Sequence, residues 1–215
     1  MDRVVLITDI NTPLGSALLV KYHTDGEKII GTITPDNKDF SLPNWSDDGL
    51  EVLEWNRHSP VNSKNIILSV LKKYKKLDEV CLIQNMIGND SFFHELDFKS
   101  IDKAIDNWIK GNFFLCREIL KVFIQNASGV LVLINNIKCN SNITSPLFEA
   151  IRSSFRSFTK ELSLTYGSHN IFINGFESTS NLSEDFGGFI YKRICEKMRN
   201  NSGRIIQFNK KKSFF

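Results

Sequence analysis

Residues 3–22 read RVVLITDINTPLGSALLVKY, and this stretch opens a pattern that continues to the end of the chain. Its first part, Arg3–Thr8, is a short apolar run rich in β-branched side chains, which favours a β-strand. A turn containing Pro13 and Gly15 follows, and from Leu14 to Tyr22 the apolar residues recur at helical spacing. The stretch therefore predicts a strand, a tight turn and a helix.

The rest of the chain continues this alternation of strands and helices. Further apolar runs predict strands at Lys28–Ile33, Glu51–Leu53, Val80–Ile83, Gly129–Ile134, Ile171–Phe176 and Arg204–Phe208. Segments with an apolar face at helical spacing predict helices at Val61–Tyr74, Ile101–Ile124, Pro146–Tyr166 and Ser183–Asn200. Such an alternation predicts a doubly wound α/β fold, in which a mostly parallel sheet of about seven strands lies between two layers of helices.

Length and composition indicate one globular domain. The chain has 215 residues, of which 41% are hydrophobic and 24% charged, and no repeat or linker divides it. We predict a single domain over residues 1–209 and a basic tail over residues 210–215. The net charge of +3 is too small to indicate a nucleic-acid partner. No apolar run approaches the roughly 18 residues that span a bilayer, so we expect no membrane partner.

Targeting signals and metal sites are also absent from the sequence pattern. Asp2 and Asp9 interrupt the start of the chain, where a signal peptide has continuous apolar residues, so we expect a cytoplasmic protein. The four cysteines and four histidines are scattered without the spacing of metal ligands. The sequence therefore predicts no metal site.

The order of elements and several local strings resemble the short-chain dehydrogenase/reductase family over nearly the whole chain. The family's first turn reads TGxxxGxG, and Thr8 and Gly15 match it, whereas Asp9 stands at a glycine position. The family's NNAG motif falls on QNMI, in which Asn85 remains, and Glu54 falls near the family's adenine-contacting Asp. The resemblance implies a Rossmann-like three-layer fold, and it makes these five residues the candidate cofactor-binding positions.

The same resemblance locates the family's catalytic positions, because LVLINN at residues 131–136 resembles the strand that ends in Ser-Ser. The catalytic Ser then falls on Asn136, the Tyr and Lys of YxxxK on Phe148 and Arg152, and the helix Asn on Trp108. All four identities differ from the family's. Phe148 has no proton to donate, and a positioned acid of this kind contributes roughly 10²–10⁴ in rate.

The first turn also differs in ways that oppose a dinucleotide. A carboxylate at Asp9 repels a pyrophosphate, and Pro13 lacks an N–H that could bind one. We therefore expect no cofactor in the leading hypothesis. That hypothesis is a catalytically degraded protein that acts through binding, as a non-catalytic partner subunit or scaffold. We expect a homo- or hetero-oligomer that forms through helices 101–124 and 146–166, which in this family pair across a dimer interface.

Two alternatives stay open at the level of the sequence. In the first, the chain is an NAD(P)-dependent oxidoreductase with an atypical active site, in which water or the substrate supplies the proton and Asn136 orients the carbonyl. NAD and NADP are equally compatible with the sequence in that case. In the second, the chain is a non-redox enzyme or small-molecule binder, and Arg152 grips a carboxylate or phosphate in the same cleft.

Overall fold

A computed structural model describes residues 3–34, 49–87, 92–138, 145–179, 182–197 and 202–208. The strands are β1 Val4–Ile7, β2 Lys28–Ile33, β3 Leu50–Glu54, β4 Glu79–Ile87, β5 Gly129–Lys138, β6 Ile171–Ser178 and β7 Ile205–Phe208. The helices are α1 Pro13–Thr24, α2 Pro60–Tyr74, α3 Phe98–Ile105, α4 Gly111–Asn126, α5 Pro146–Tyr166 and α6 Ser183–Lys197. The predicted basic tail, residues 210–215, lies outside the described residues.

The strands form one sheet in the order β3-β2-β1-β4-β5-β6-β7, and every pairing is parallel. The predicted doubly wound α/β fold is therefore confirmed. Side chains alternate between the two faces of each strand, so a strand covered on both faces needs apolar residues at successive positions. The run GVLVLI at the start of β5 meets this requirement.

Two apolar clusters cover the two faces of the sheet. Residues of α2, α4 and α5 pack against one face, where Leu131 and Leu133 of β5 point. Residues of α1 and α6 pack against the other face, where Val132 and Ile134 point. None of the helices in the described ranges is both long and apolar enough to cross a membrane.

The predicted helix from Ile101 to Ile124 is interrupted. Helix α3 ends at Ile105, a π-helical turn spans Asp106–Lys110, and α4 begins at Gly111. A side chain accounts for the wider turn, because Asn112 donates a hydrogen bond through Nδ2 to the carbonyl oxygen of Trp108 at 2.9 Å. A side-chain donor that inserts at a helix carbonyl is a common cause of such local distortion.

Strands β4 and β5 both extend beyond their predicted ends at Ile83 and Ile134. The ladder continues through polar residues, with Gln84 opposite Asn135 and Asn85 opposite Asn136. Sequence periodicity ends a predicted strand where apolar residues stop, whereas the backbone pairing does not depend on them. The extension places four amide side chains at the carboxyl edge of the sheet, next to the turn that follows β1.

Candidate active site

The turn between β1 and α1 has the tight form that the family's glycines allow. Asp9 has a φ of 51°, in the left-handed region that non-glycine residues seldom adopt. Thr12 caps α1, since its Oγ accepts a hydrogen bond from the Gly15 N–H at 3.2 Å and donates to the Asp9 carbonyl at 2.8 Å. A Cβ at Gly15 would lie 2.1 Å from that same carbonyl oxygen. The turn and the helix are therefore in direct backbone contact.

The Asp9 side chain points into the protein and not out of the turn. It is 4% exposed, and its Oδ2 accepts a hydrogen bond from the Arg57 guanidinium. Burial raises the pKa of Asp9 above its usual value, and the charge and hydrogen bond of Arg57 act in the opposite direction. The sequence predicted a carboxylate that repels a pyrophosphate; the structure instead pairs this carboxylate with a buried cation.

Arg57 is a residue that sequence reasoning missed. Its guanidinium donates to the Ile83 carbonyl at 3.0 Å and to Asn112 Oδ1 at 2.8 Å, and it lies 3.9 Å from the centre of the Trp55 ring. Asn112 in turn donates to Gln84 Oε1 at 2.7 Å. The signal for Arg57 in the sequence was an Asp at a glycine position of the first turn. If the turn is buried, such a carboxylate requires a cation or a hydrogen-bond donor nearby.

A chain of hydrogen bonds crosses the carboxyl edge of the sheet. Asn85 donates through Nδ2 to Thr12 Oγ at 3.3 Å and accepts at Oδ1 from Asn136 Nδ2 at 3.0 Å. Asn136 is buried, and its Oδ1 has no hydrogen-bond partner among the described residues. The structure thus brings together the predicted site residues Asn85 and Asn136. The last member of this series of hydrogen bonds, Asn136, keeps one buried acceptor without a partner among the described residues.

The direction of each hydrogen bond from Thr12 to Asn136 determines which amide atom of Asn136 is left for a ligand. The Thr12 hydroxyl gives its proton to the Asp9 carbonyl, so it accepts from Asn85 Nδ2. Asn85 Oδ1 then faces Asn136 and needs a donor, which is Nδ2. Asn136 therefore presents an unpartnered acceptor, Oδ1, which suits a water or a hydroxyl.

Phe148 and Trp108, which the resemblance assigns to the family's Tyr and Asn positions, contact each other. Their ring centroids lie 5.2 Å apart, and both belong to a small apolar cluster with Met86 and Ile137. Phe148 is 7% exposed. The side chains at these two positions are therefore apolar neighbours, and neither carries an acid or a base.

Arg152, at the family's Lys position, lies among carboxylates. It contacts Glu149 Oε1 at 3.2 Å and the buried Glu177 Oε2 at 3.5 Å, and its Nε is buried without a partner in the described part of the chain. Arg156 binds the same Glu177 more closely, at 2.6 Å. Both terminal nitrogens of Arg152, which would otherwise bind a ligand anion, therefore contact these two glutamates.

The other two predicted cofactor-binding residues, Thr8 and Glu54, lie in different environments. Thr8 is buried, and its Oγ accepts a hydrogen bond from the Ile83 N–H at 2.7 Å, so it joins β1 to β4. Glu54 is exposed at the carboxyl end of β3. Within the described ranges, no group of three His, Cys, Asp or Glu side chains could hold a metal ion.

The residues present fit a dinucleotide at the first turn. The Asp9 charge is compensated internally, and the first turn of α1 carries no acidic side chain. The positive end of the helix dipole therefore faces the sheet edge without an opposing charge on its own helix. Pro13 does remove one N–H donor, as the sequence predicted.

A parallel sheet of this order, with a capped helix after β1 and polar side chains at the ends of β4 and β5, defines a Rossmann-type α/β protein. The chain belongs to the short-chain dehydrogenase family, since the family's sequence profile matches residues 3–181.

Relatives and solved structures agree with this assignment. The chain is 28% identical to the 3-oxoacyl-(acyl-carrier-protein) reductase FabG of Rickettsia prowazekii (strain Madrid E), over 95% of this chain and 79% of the relative. It is 27% identical to the FabG of Rickettsia felis (strain ATCC VR-1525 / URRWXCal2) over the same shares. ElxO with NADP bound superposes with a TM-score of 0.83 at 16% identity, over 96% of this chain and 97% of that chain. A Tyr-to-Phe variant of ElxO with NADPH bound gives a TM-score of 0.83 at 17% identity, over the same shares.

These findings correct the leading hypothesis from the sequence. The prediction of a non-catalytic partner subunit or scaffold is wrong, because the relatives that match most of the chain are named as reductases and point to an oxidoreductase. The expectation of no cofactor is not supported either, because structural neighbours bind NADP or NADPH. The expectation of no cofactor rested on an unpaired negative charge at Asp9, whereas this charge has an internal partner, Arg57.

Proposed function

We propose that this chain is an NAD(P)-dependent oxidoreductase of the short-chain dehydrogenase family with an atypical active site, in which none of the four catalytic identities is kept. The observation that carries the proposal is the hydrogen-bond chain from Thr12 through Asn85 to Asn136, which ends in a buried acceptor. Buried polar atoms are nearly always satisfied in folded proteins, so this acceptor calls for a donor from a ligand or water.

The turn after β1 would hold the pyrophosphate of the cofactor. Its Asp9 carboxylate is paired with Arg57, and the N-terminus of α1 favours an anion. Asn85, at the end of β4, would lie between this turn and the reaction centre, since it bonds to both Thr12 and Asn136. When bound, a nicotinamide dinucleotide supplies the hydride that reduces a carbonyl group.

Asn136 would hold a water molecule beside the substrate oxygen. Its Oδ1 accepts one O–H of that water, which leaves the second O–H free to face the substrate. Reduction of a ketone places negative charge on its oxygen, and the water gives that oxygen a proton. The resulting hydroxide exchanges with solvent. This role replaces a side-chain acid, which neither Phe148 nor Trp108 can provide.

The substrate class follows from the apolar wall and from the relatives. Phe148 and the half-buried Trp108 give the expected reaction centre an uncharged lining, with Met86 buried behind them. The relatives named as 3-oxoacyl reductases support a ketone carried on an acyl chain, whose apolar part would pack on this wall. We propose reduction of such a ketone as the direction of the reaction.

The test combines cofactor binding with turnover. We expect calorimetry to detect NADPH or NADH binding, and we expect slow oxidation of the bound cofactor with a 3-oxoacyl thioester. Replacing Asn136 with Leu removes the acceptor and should lower kcat about tenfold, with the cofactor affinity changed far less. The matched control is Thr159→Val, because Thr159 is equally buried and its hydroxyl donates to the Phe155 carbonyl of its own helix at 2.8 Å, so the change should leave kcat nearly unchanged. No binding of either cofactor at millimolar concentration would remove the proposal.

We also propose that a second copy of the chain covers the face formed by α4 and α5, which narrows the homo- or hetero-oligomer expected from the sequence to a homo-oligomer. A groove of about 540 Å³ runs between these helices; its lining is mostly apolar, with Phe113 and Phe158, and also includes the cations Arg117 and Lys121. Ile124 of α4 lines this groove and is 41% exposed. Exposed apolar side chains of this kind favour burial against a partner.

Light scattering tests this assembly. We expect the mass of two or more chains for the wild-type protein and of one chain for Ile124→Lys, because the added cation would be buried beside Arg117 and Lys121. Leu68→Lys is the matched control, since Leu68 is exposed on α2 instead. A single-chain mass for the wild-type protein would contradict the assembly, and it would leave the proposed reaction standing.

A further inference from the structure

We infer that Asp9 and Arg57 act as a buried charge pair that sets the affinity of the first turn for the cofactor's pyrophosphate, with Arg57 as a positioning residue that does not contact the ligand. The inference rests on the proposed function. It concerns a pair that has no counterpart in the family's first-turn glycine motif, and its charges act on the cofactor from beneath the turn.

Both terminal nitrogens of Arg57 are engaged inside the protein. It is 8% exposed, one terminal nitrogen contacts Asp9 and the Ile83 carbonyl, and the other contacts Asn112. The Trp55 ring covers its flat face. With its terminal nitrogens engaged and one face covered, the buried guanidinium is not placed to bind a phosphate directly and acts through its charge on Asp9.

The pair also ties the turn to helix α4. A Cβ at Gly111, the first residue of α4, would lie 2.7 Å from the Cβ of Arg57, so the helix starts in close contact with this arginine. Asn112 then binds both the guanidinium and the carbonyl of Trp108 in the π-helical turn. Arg57 is therefore held in one place, and its charge stays fixed relative to Asp9.

Removing one charge of the pair should change the affinity for an anionic ligand in one direction, and removing the other charge should change it in the opposite direction. Without Arg57, the Asp9 carboxyl loses its compensating cation, and at a pH where it is ionised its negative charge opposes the pyrophosphate. Without the Asp9 charge, the buried guanidinium is uncompensated and attracts it. Charges interact strongly in an environment that excludes water, so both effects should be measurable in the dissociation constant. A merely structural role would instead make both substitutions weaken binding.

The experiment is a double-mutant cycle on the full chain, read by calorimetry with NADPH. We expect Arg57→Met to weaken binding about tenfold or more and Asp9→Asn to tighten it severalfold, while the double variant returns to within about threefold of wild type. Asn tolerates the left-handed backbone at this position. The same signs should appear with ADP, which carries the pyrophosphate without nicotinamide.

Arg3→Met is the matched control for loss of a buried ion pair. Arg3 contacts the buried Glu79 at 3.2 Å at the amino end of the sheet, far from the first turn. This variant should lose thermal stability and keep its affinity for NADPH. If Arg3→Met and Arg57→Met weakened NADPH binding equally, both effects would come from lost stability, and the inference would be overturned.

The remaining outcomes separate this inference from the proposed function. Weakening or no change by Asp9→Asn overturns the role of the charge pair, even if wild type binds NADPH as proposed. If Arg57→Met does not fold, the NADPH affinity of Asp9→Asn alone tests the inference. This variant retains Arg57 and keeps a hydrogen-bond acceptor for it. Failure of the wild-type protein to bind either NADPH or NADH overturns both the inference and the proposed function.

Discussion

Replacing Phe148 with Tyr should raise the rate of NADPH-dependent ketone reduction by roughly 10²–10⁴, the contribution of a positioned side-chain acid. Phe148 stands at the family's Tyr position and lies against Trp108 in the apolar wall of the proposed site. Tyr adds only a hydroxyl to the same ring, so it introduces a proton donor with little change in packing. The proton then comes from the protein and no longer from water.

The measurement is kcat/KM against pH for the wild-type protein and for Phe148→Tyr. Between pH 6 and 9 the wild-type rate should depend weakly on pH, whereas the variant should lose its gain as the new hydroxyl ionises, near about pH 10 for an unperturbed tyrosine. Phe148→Leu is the control, because it alters the apolar wall without adding an acid. An equal rate for Tyr and Leu would place Phe148 outside the reaction centre.

A second variant addresses the missing lysine. In the resembled mechanism a lysine lowers the pKa of the tyrosine, and Arg152 stands at that position but is engaged by Glu149 and Glu177. We expect Phe148→Tyr with Arg152→Met to shift the pH at which the gain is lost to a higher value than Phe148→Tyr alone. A cation near the hydroxyl favours its ionised form, so removal of the cation accounts for the direction.

The fold could be predicted from the sequence because its signals are local. Strand β2 and helix α5 have the bounds that periodicity predicts, Lys28–Ile33 and Pro146–Tyr166. Pro146 begins α5 in the usual way, at the first helical position. The π-helical turn at Asp106–Lys110 was not predictable in this way, because it depends on a side chain that folds back from Asn112.

The site was predicted less well than the fold, since its chemistry depends on partners that are distant in sequence. Asp9 and Arg57 are far apart along the chain and meet only because β1 and β3 lie in one sheet with β2 between them. Residue-by-residue comparison with the family located Asn136 and Phe148. It could not show which amide atom of Asn136 is free, because that follows from the whole chain of donors that starts at Thr12.

Replacing Gly15 with Ala should lower the free energy of unfolding by about 3 kcal/mol or more, which is at the upper end of what an inserted methyl group costs. The new Cβ would lie 2.1 Å from the Asp9 carbonyl oxygen and 2.8 Å from the Ile10 Cα. Both are backbone atoms of the turn. A rotamer change cannot relieve such a contact, so the turn or the helix must move.

That movement should also abolish cofactor binding. The Asp9 carbonyl accepts hydrogen bonds from both the N–H and the hydroxyl of Thr12, and Thr12 orients Asn85. A shift of the turn therefore propagates to the proposed reaction centre. Denaturant unfolding and NADPH calorimetry measure the two effects, and for a chain of this size the melting temperature should fall by about 6–12 °C.

Gly188→Ala is the matched control for this prediction. Gly188 lies within α6, where an added Cβ meets no atom within 4 Å among the described residues, and Ala is the better helix former by about 0.5–1 kcal/mol. This variant should be slightly more stable than wild type and bind NADPH equally well. If Gly15→Ala were as stable as wild type and bound NADPH normally, the close contact between the first turn and α1 would not be required, and the tight turn would have no part in holding a cofactor.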